Sequence, residues 1–233
     1  MLRLGCILSE GVSLRMTRGW LVVEFLLIFV GLPLGYRLSP VHVPGMPLLW
    51  LTAGYGLVQL LRDARFDRTQ LWNAGALRGR VVEILAVFLV FAFLLWRGVV
   101  WLAPQLEWSL IRLHPGQWAF VMVAYPVASV YPQGVIYRAF FFERYAALFP
   151  GKWIMILVSA MAFAFLHIIF RNWLAVELTY AGGLLFAWRY EKTKSLAVSG
   201  FEHALYACWL FTVGLGQYFY HGSIQVAGTV LRR

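Results

Sequence analysis

Long apolar stretches, separated by short polar connections, follow one another along this 233-residue chain. About 20 consecutive apolar residues span the hydrocarbon core of a membrane as a helix, and only helices and closed barrels satisfy all their backbone hydrogen bonds there. The pattern therefore predicts an all-α fold, a polytopic membrane helical bundle with seven to eight transmembrane helices. The predicted spans are residues 20–36, 45–61, 82–103, 117–131, 153–170, 173–188 and 195–220, with 132–149 as a further, less apolar candidate.

The composition indicates that lipid covers much of the folded surface. Hydrophobic residues make up 61% of the chain and charged residues 13%, whereas soluble domains average about 45–50% apolar and about 25% charged residues. A soluble fold of this size has too little interior to bury so many apolar side chains. Membrane lipids are therefore the first predicted partner of the protein.

The net charge of +10 comes from basic residues that group near the ends of the predicted spans. Basic loops are typical of the cytoplasmic face of a membrane, where they meet anionic lipid headgroups. No basic stripe lies outside these loops, so nucleic acid is not an expected partner. The alternation of basic and neutral loops predicts an integral, multi-pass protein of a bacterial inner or plasma membrane with a cytoplasmic N-terminus. The basic groups are Arg3, Arg15 and Arg18; Arg62, Arg65, Arg68, Arg78 and Arg80; and Arg189, Lys192 and Lys194.

Three ionisable side chains lie within or at the edge of the apolar stretches: Arg138, His167 and His203. A charged group at the centre of a bilayer costs about 2.5–3.5 kcal/mol, so such groups usually mark a functional site. Each of the three belongs to a short motif on a different predicted helix. The motifs are QGVIYR at 133–138, FAFLH at 163–167 and HALYA at 203–207.

The spacing within each motif favours one shared site. Residues four apart in a helix lie one above the other, and each motif contains such a pair. Three successive helices are thus predicted to direct one polar group each into a common space. Pro126 and Pro132 fall in the same region. Since proline removes a backbone donor, they predict a helix that breaks and restarts at Pro132, beside the site.

These motifs, in this order on successive apolar helices, resemble those of the CAAX protease and bacteriocin-processing family of intramembrane endopeptidases, which includes the type II prenyl-protein proteases. The resemblance extends over residues 117–215. The family motifs are Glu-Glu-x-x-x-Arg, Phe-x-x-x-His and His-x-x-x-Asn, and the family identities are kept at Arg138, Phe163, His167 and His203. The resemblance implies a protein that hydrolyses a peptide bond in a membrane-embedded or lipidated peptide substrate.

The resemblance also implies a role for each matching residue. In the family, one glutamate and the histidine of the second motif are thought to activate a water molecule, which implies this role for His167. The histidine of the third motif, here His203, helps to hold the oxyanion of the reaction. Arg138 would hold the carboxylate in place through charge-assisted hydrogen bonds. The sequence leaves open whether the family mechanism uses a bound divalent metal or a glutamate alone.

The chain departs from the family at three motif positions. Gln133 and Gly134 stand where the two glutamates would be, and Ala207 stands in place of the asparagine. A neutral amide is no general base at neutral pH. A zinc ion held by His167 and His203 is also not supported by the ligand count, since a catalytic zinc normally has three protein ligands.

Two other acids are candidates for the missing carboxylate. Glu202 is next to His203 in sequence, so its side chain points about 100° away on a helix and is better placed to support His203 than to replace a glutamate. Glu177 would have to face the interior of the bundle. A third explanation is that Gly134 is itself a substituted position in an otherwise active protein. The predicted catalytic positions are His167, His203, Arg138, Gln133 and Gly134, and the predicted substrate-contacting or supporting residues are Phe163, Glu177, Glu202 and Ala207.

Two functions are therefore predicted for the same cavity. The first is an intramembrane endopeptidase of the CAAX-protease type, against which the replacements at Gln133 and Gly134 argue. The alternative is a catalytically inactive member or inactivated variant of the family that binds a membrane peptide or a partner. A third hypothesis, a small transporter or channel, rests only on buried charge and requires inverted repeats that the sequence does not show.

The chain is predicted to have four parts. Residues 1–19 form a cytoplasmic N-terminal tail, and residues 20–116 form a first group of transmembrane helices. Residues 117–220 form the CAAX-protease-like core, and residues 221–233 form a C-terminal tail. The first nineteen residues lack the long apolar region of a cleaved signal peptide, so the first apolar stretch is expected to remain in the protein as a span.

Overall fold

The computed structural model describes residues 17–41 and 43–219. The predicted C-terminal tail and nearly all of the predicted N-terminal tail lie outside these residues. Within them the chain forms helices and no β-strand, which confirms the predicted all-α class. Seven helices of 18 residues or more build the described bundle: α1 Arg18–Leu38, α2 Gly45–Arg62, α3 Val81–Leu102, α4 Pro115–Arg144, α5 Lys152–Phe170, α6 Trp173–Thr193 and α7 Leu196–Val213.

Five of these helices, α1, α3, α4, α5 and α7, are long and apolar enough to cross a membrane. The predicted count of seven to eight spans is therefore not confirmed. The difference has two causes. The two stretches predicted as 117–131 and 132–149 lie largely in the single helix α4. α2 and α6 are long enough, but their mean hydropathy is lower: α2 contains glycine, aromatic and polar residues, and α6 carries four charged residues.

Polar side chains cap the first turns of α6 and α7. Asn172 caps the start of α6 by accepting a hydrogen bond from the Ala175 N–H at 2.8 Å. α6 ends where Lys194 takes a left-handed backbone conformation, and the next residue, Ser195, accepts from the Val198 N–H at 3.2 Å and so caps α7. Such caps each stabilise a helix by about 1 kcal/mol. The resulting two-residue connection brings the end of α6 next to the start of α7.

α4 runs without a break from Pro115 to Arg144, so the predicted restart at Pro132 is wrong. The helix contains two π-helical segments instead, Pro126–Val130 and Val135–Phe140. A π segment inserts one extra residue into the turn and is often found at functional sites. The prolines are accommodated by this local widening and by partners from other helices.

Side chains from other helices satisfy backbone carbonyls that the prolines of α4 leave without a donor. Proline lacks an N–H, so Pro132 cannot bond the carbonyl four residues before it. That carbonyl, on Ala128, accepts a hydrogen bond from the indole N–H of Trp50 at 3.0 Å. The equivalent carbonyl below the other proline, on Met122, faces the Cys208 thiol at 3.9 Å. The continuity of α4 therefore depends on contacts far away in the sequence.

The middle of α4 is the core of the bundle, because every residue from 132 to 142 is buried. A helix that is buried on all sides must be enclosed by other helices. α2, α5, α6 and α7 all pack against it, and Phe29 of α1 meets Tyr137 edge to face with ring centroids 5.4 Å apart. The first-motif residues therefore lie at the centre of the molecule.

A buried ion pair fixes α1 against the end of α4. The Glu24 carboxylate is 4% exposed and accepts from Arg144 Nε at 2.9 Å and from Arg144 Nη2 at 3.0 Å. The hydroxyls of Tyr55 and Tyr145 also donate to this carboxylate. Because every charge in this cluster has a partner, it is a structural junction and not a candidate site.

Candidate functional site

His167 lies at the end of α5, where the α-helical part Lys152–Leu166 gives way to a short 3₁₀ turn. Its ring is 4% exposed, and its Nδ1 is 2.7 Å from the carbonyl oxygen of Phe163. A carbonyl can only accept, so Nδ1 carries the proton and Nε2 keeps its lone pair. The ring of Phe163 packs edge to face against His167, with centroids 4.8 Å apart.

His203 lies on α7 between two aromatic rings. It stacks on Phe186 of α6, with ring centroids 4.5 Å apart and an angle of 25° between the planes. It meets Phe163 of α5 edge to face at 5.4 Å. The imidazole is 6% exposed, and its Nδ1 has no hydrogen-bond partner among residues 17–41 and 43–219.

Arg138 of α4 packs against the same two rings. Its guanidinium carbon lies 4.9 Å from the ring centroid of Phe163 and 5.3 Å from that of Phe186. Cation–π contacts of this kind contribute about 2 kcal/mol when they are desolvated. Arg138 is 2% exposed. The structure thus brings Arg138, His167 and His203 together around one aromatic pair, Phe163 and Phe186.

Two consecutive glycines of α6 allow these rings to approach so closely. A Cβ atom at Gly182 would lie 3.0 Å from the Phe186 ring. A Cβ atom at Gly183 would lie 3.2 Å from Ala160 Cα and 3.2 Å from the Phe163 ring. Either contact is tighter than ordinary van der Waals packing, so the two glycines make room for the aromatic pair.

The two positions where the family has glutamates point in different directions. Gln133 is buried, and its amide Nε2 donates to Ser129 Oγ at 2.9 Å, one turn earlier on α4. Gly134 is also buried. A Cβ atom there would meet only Leu196 Cδ2, at the ordinary contact distance of 3.5 Å. The fold therefore has room for the start of a side chain at position 134.

Neither of the other two candidate acids lies beside the histidines. Glu177 is exposed on the outer face of α6. Glu202 is fully buried, and its two oxygens accept from Arg189 Nε at 2.8 Å and Arg189 Nη2 at 3.0 Å. Arg189 also donates to Glu83 at 2.8 Å. No carboxylate in the described part of the chain pairs with Arg138.

The residues of the site do not fit a catalytic metal ion. The described ranges contain no group of three His, Cys, Asp or Glu side chains that could hold one. His167 and His203 would supply two neutral ligands, whereas catalytic zinc sites have three protein ligands and usually a supporting carboxylate. The nearby guanidinium of Arg138 would also repel a cation.

A cavity of about 790 Å³ adjoins the histidines. His167, His203, Phe163, Phe186 and Ala207 form its inner wall. Its remaining wall is almost entirely apolar and includes three exposed side chains on α3 and α5: Phe91, Trp153 and Leu157. The cavity therefore reaches the outer, lipid-facing surface of the bundle. Arg138 does not line it and lies behind the aromatic pair.

The sequence reasoning missed Phe186, Ser199 and Tyr206. Phe186 forms half of the aromatic pair, while Ser199 and Tyr206 lie on the same face of α7 as His203. Their spacing of four residues before and three residues after His203 is a helical signal that would have identified them. Ser199 Oγ and the Tyr206 hydroxyl are both buried and have no hydrogen-bond partner in the described ranges.

Comparison with known proteins identifies one related family. Residues 114–209 match the family model of type II CAAX prenyl endopeptidases, Rce1-like. This segment contains Arg138, Phe163, His167 and His203, and the match confirms the family resemblance predicted from the three motifs. No curated protein and no solved structure shows a significant match to the chain.

Proposed function

We propose that this protein uses the framework of a type II CAAX prenyl endopeptidase to bind a lipidated or membrane-embedded peptide, and that it does not hydrolyse the peptide. The main support for the proposal is that neither candidate carboxylate, Glu177 or Glu202, lies beside Arg138 and the two histidines. Among the described residues, Glu177 is exposed and Glu202 is held by Arg189. The site that holds Arg138 and the two histidines therefore contains cations and neutral groups only.

Peptide hydrolysis needs a group that removes a proton from the attacking water. If His167 or His203 took that proton, the resulting imidazolium would lie beside Arg138, since both histidines and Arg138 pack against Phe163. A guanidinium is always charged in proteins. Two buried cations without a carboxylate between them would repel each other strongly in a medium of low dielectric constant. The charge balance thus favours binding over catalysis.

The cavity supports the binding half of the proposal. Its volume of about 790 Å³ lies within the range of about 300–1,000 Å³ that is common for small-molecule sites. Its walls are apolar, and exposed side chains at Phe91 and Trp153 mark its outer rim. An aliphatic or prenyl chain entering from the bilayer would exchange one apolar environment for another, while the attached peptide would reach the histidines at the inner wall.

The placement in the membrane is part of the same proposal. The basic loop between α2 and α3 lies against the turn between α6 and α7, because the Ala197 N–H donates to the Trp72 carbonyl at 3.1 Å. Both carry positive charge, with Arg65 and Arg78 in the loop and Lys192 in α6. We assign this basic end to the cytoplasmic side of a bacterial inner or plasma membrane. Glu24, near the start of α1, pairs with Arg144 at the end of α4, so the start of α1 and the end of α4 lie on the same side of the bundle. The N-terminus, which precedes Arg18, would then be cytoplasmic.

The direct test is binding without turnover. The wild-type protein, reconstituted in liposomes, is mixed with a prenylated peptide that carries an environment-sensitive fluorophore, and the mixture is followed by fluorescence and by mass spectrometry. We expect saturable binding and an intact peptide. The variant Ala207→Phe, which fills the inner wall of the cavity, is expected to bind at least about tenfold more weakly. The variant Gly200→Ala has open space around its new methyl group and is the matched control.

Cleavage of the peptide by the wild-type protein, abolished in His167→Ala, would contradict the proposal and favour the endopeptidase. Absence of binding in both the wild-type protein and the control would remove the peptide-binding function altogether.

A further inference from the structure

We infer that the guanidinium of Arg138 and the space beside Gly134 form a binding site for a small monovalent inorganic anion, of which chloride is the commonest. The anion would supply the negative charge that the chain lacks at positions 133 and 134. Its binding is independent of the peptide, because it neutralises a charge inside the bundle whether or not the cavity holds a ligand.

The evidence begins with a difference between two buried arginines. Arg138 is 2% exposed and Arg189 is 0% exposed. Arg189 donates to both oxygens of Glu202 and, at 2.8 Å, to Glu83. In the ranges that the structure describes, Arg138 pairs with no carboxylate, and its buried Nη2 atom has no hydrogen-bond partner. One buried guanidinium therefore has two counter-charges, and the other has none among the described residues.

The contacts of Arg138 do not replace a counter-charge. A buried ion loses its hydration, and a guanidinium cannot escape this cost by releasing its proton. The cation–π contacts with Phe163 and Phe186 offset only part of it. The second buried carboxylate of the described ranges, on Glu24, is held by Arg144. An anion from solution would provide the missing compensation.

The space for the anion begins at Gly134, four residues before Arg138 on α4. Residues four apart share one face of a helix, and helical side chains lean toward the N-terminus, so the side chain of Arg138 extends toward the turn that contains Gly134. Apart from the adjoining residues and the backbone of the helix, only Leu196 Cδ2, at 3.5 Å, lies within 4 Å of a Cβ atom built at Gly134. The side chain of Arg138 is thus more than 4 Å from that point, which leaves a gap between the two.

The surroundings favour a small anion with a single charge. The gap has the place of one side chain, and its other contact, a methyl group of Leu196, donates no hydrogen bond. Phosphate or sulfate would bury oxygens without donors there. Chloride has one charge and accepts a charge-assisted hydrogen bond from the guanidinium. It is also a negligible base toward water, so it would neutralise Arg138 without supplying the proton acceptor that hydrolysis requires.

The test measures the thermal unfolding of the purified protein in detergent, without peptide, in sodium chloride and in sodium gluconate. The two salts are compared at equal ionic strength, so that charge screening is the same. Gluconate is too large for the gap. A ligand that binds only the folded state raises the Tm, and we expect a Tm at least about 3 °C higher in chloride. Equal Tm values in the two salts would overturn the inference.

Variants at the two positions locate the effect. Arg138→Gln should lose the rise in Tm because the cation is gone. Gly134→Glu should lose it because a carboxylate of the protein takes the place of the anion, and its Tm in gluconate should exceed that of the wild-type protein. Arg78→Gln is the matched control, since Arg78 is exposed in the loop between α2 and α3, and it should keep the full rise. A rise that persists in Gly134→Glu, or that Arg78→Gln abolishes, would contradict the assignment.

Bromide locates the anion without any substitution. Crystals of the wild-type protein grown in bromide should show an anomalous scattering peak within hydrogen-bonding distance of Arg138 Nη2. Bromide peaks at surface positions alone would overturn the assignment. None of these measurements uses a peptide, so their failure would leave the proposed peptide binding intact, and a failure of peptide binding would leave the anion site intact.

Discussion

Arg189 holds both carboxylate oxygens of Glu202, at 2.8 and 3.0 Å, and neither side chain is exposed to solvent. This pair joins the end of α6 to the start of α7, and Arg189 extends it to Glu83 of α3 at 2.8 Å. Adjacent residues on a helix point about 100° apart. The acid next to His203 in sequence is therefore engaged elsewhere, and the pair contributes to the stability of the fold.

The first prediction concerns this pair. Glu202→Ala removes one of the two carboxylates that pair with the buried Arg189 and leaves Glu83. We expect a loss of about 3–5 kcal/mol of folding stability. Glu177→Ala is the control, because Glu177 is exposed and its removal should change stability by less than about 0.5 kcal/mol. Unfolding of the purified proteins in one detergent, followed by circular dichroism, measures both. Equal stability of the two variants would show that the ion pair contributes nothing.

The second prediction concerns the continuity of α4 at Pro132. Trp50→Phe removes the indole donor of the Ala128 carbonyl, which should cost about 0.5–1.5 kcal/mol, the ordinary net contribution of one hydrogen bond. Pro132→Ala returns a backbone N–H that can bond the same carbonyl. Trp50→Phe should therefore cost much less in the Pro132→Ala background. A double-mutant cycle of unfolding free energies checks this, and additive effects would contradict the proposed exchange of partners.

The third prediction concerns the glycines that admit the aromatic pair. At Gly183 a methyl group would press on the Ala160 backbone at 3.2 Å, so we expect Gly183→Ala to destabilise the protein by about 1–3 kcal/mol. At Gly200, inside α7, a methyl group meets nothing within 4 Å, and Gly200→Ala should stabilise the helix by about 0.5–1 kcal/mol. Thermal unfolding of both variants measures these changes in stability. A destabilised Gly200→Ala together with a neutral Gly183→Ala would reverse the expected order.

The site could largely be predicted from the sequence because helical spacing and intramembrane charge are local signals. Arg138, His167 and His203 were expected on three helices that face a common space, and all three pack against Phe163. Phe186, however, belongs to no motif of charged residues. Its importance comes from its distance to residues on other helices, which no local pattern contains.

The break predicted at Pro132 shows where local reasoning fails. A proline is expected to end a helix because it leaves a carbonyl unbonded. In this chain the missing donor is supplied by Trp50, which lies 78 residues before Ala128, the residue whose carbonyl it bonds. The direction of Glu177 was equally inaccessible, since α6 carries both buried and exposed charges, as Arg189 and Glu191 illustrate. Such features depend on packing between helices that the sequence pattern does not specify.

Of the two motif positions without a carboxylate, Gln133 and Gly134, position 134 has space for a new side chain, and we propose that a carboxylate there would restore hydrolysis. It is tested by the hydrolysis of a prenylated peptide in liposomes by the wild-type protein, Gly134→Glu and Gly134→Gln, with product measured by mass spectrometry. We predict product with Gly134→Glu alone, and its loss when His167→Ala or His203→Ala is added. Turnover by the wild-type protein equal to that of Gly134→Glu would contradict the claim, and so would a Gly134→Glu variant that is folded, binds the peptide and yields no product.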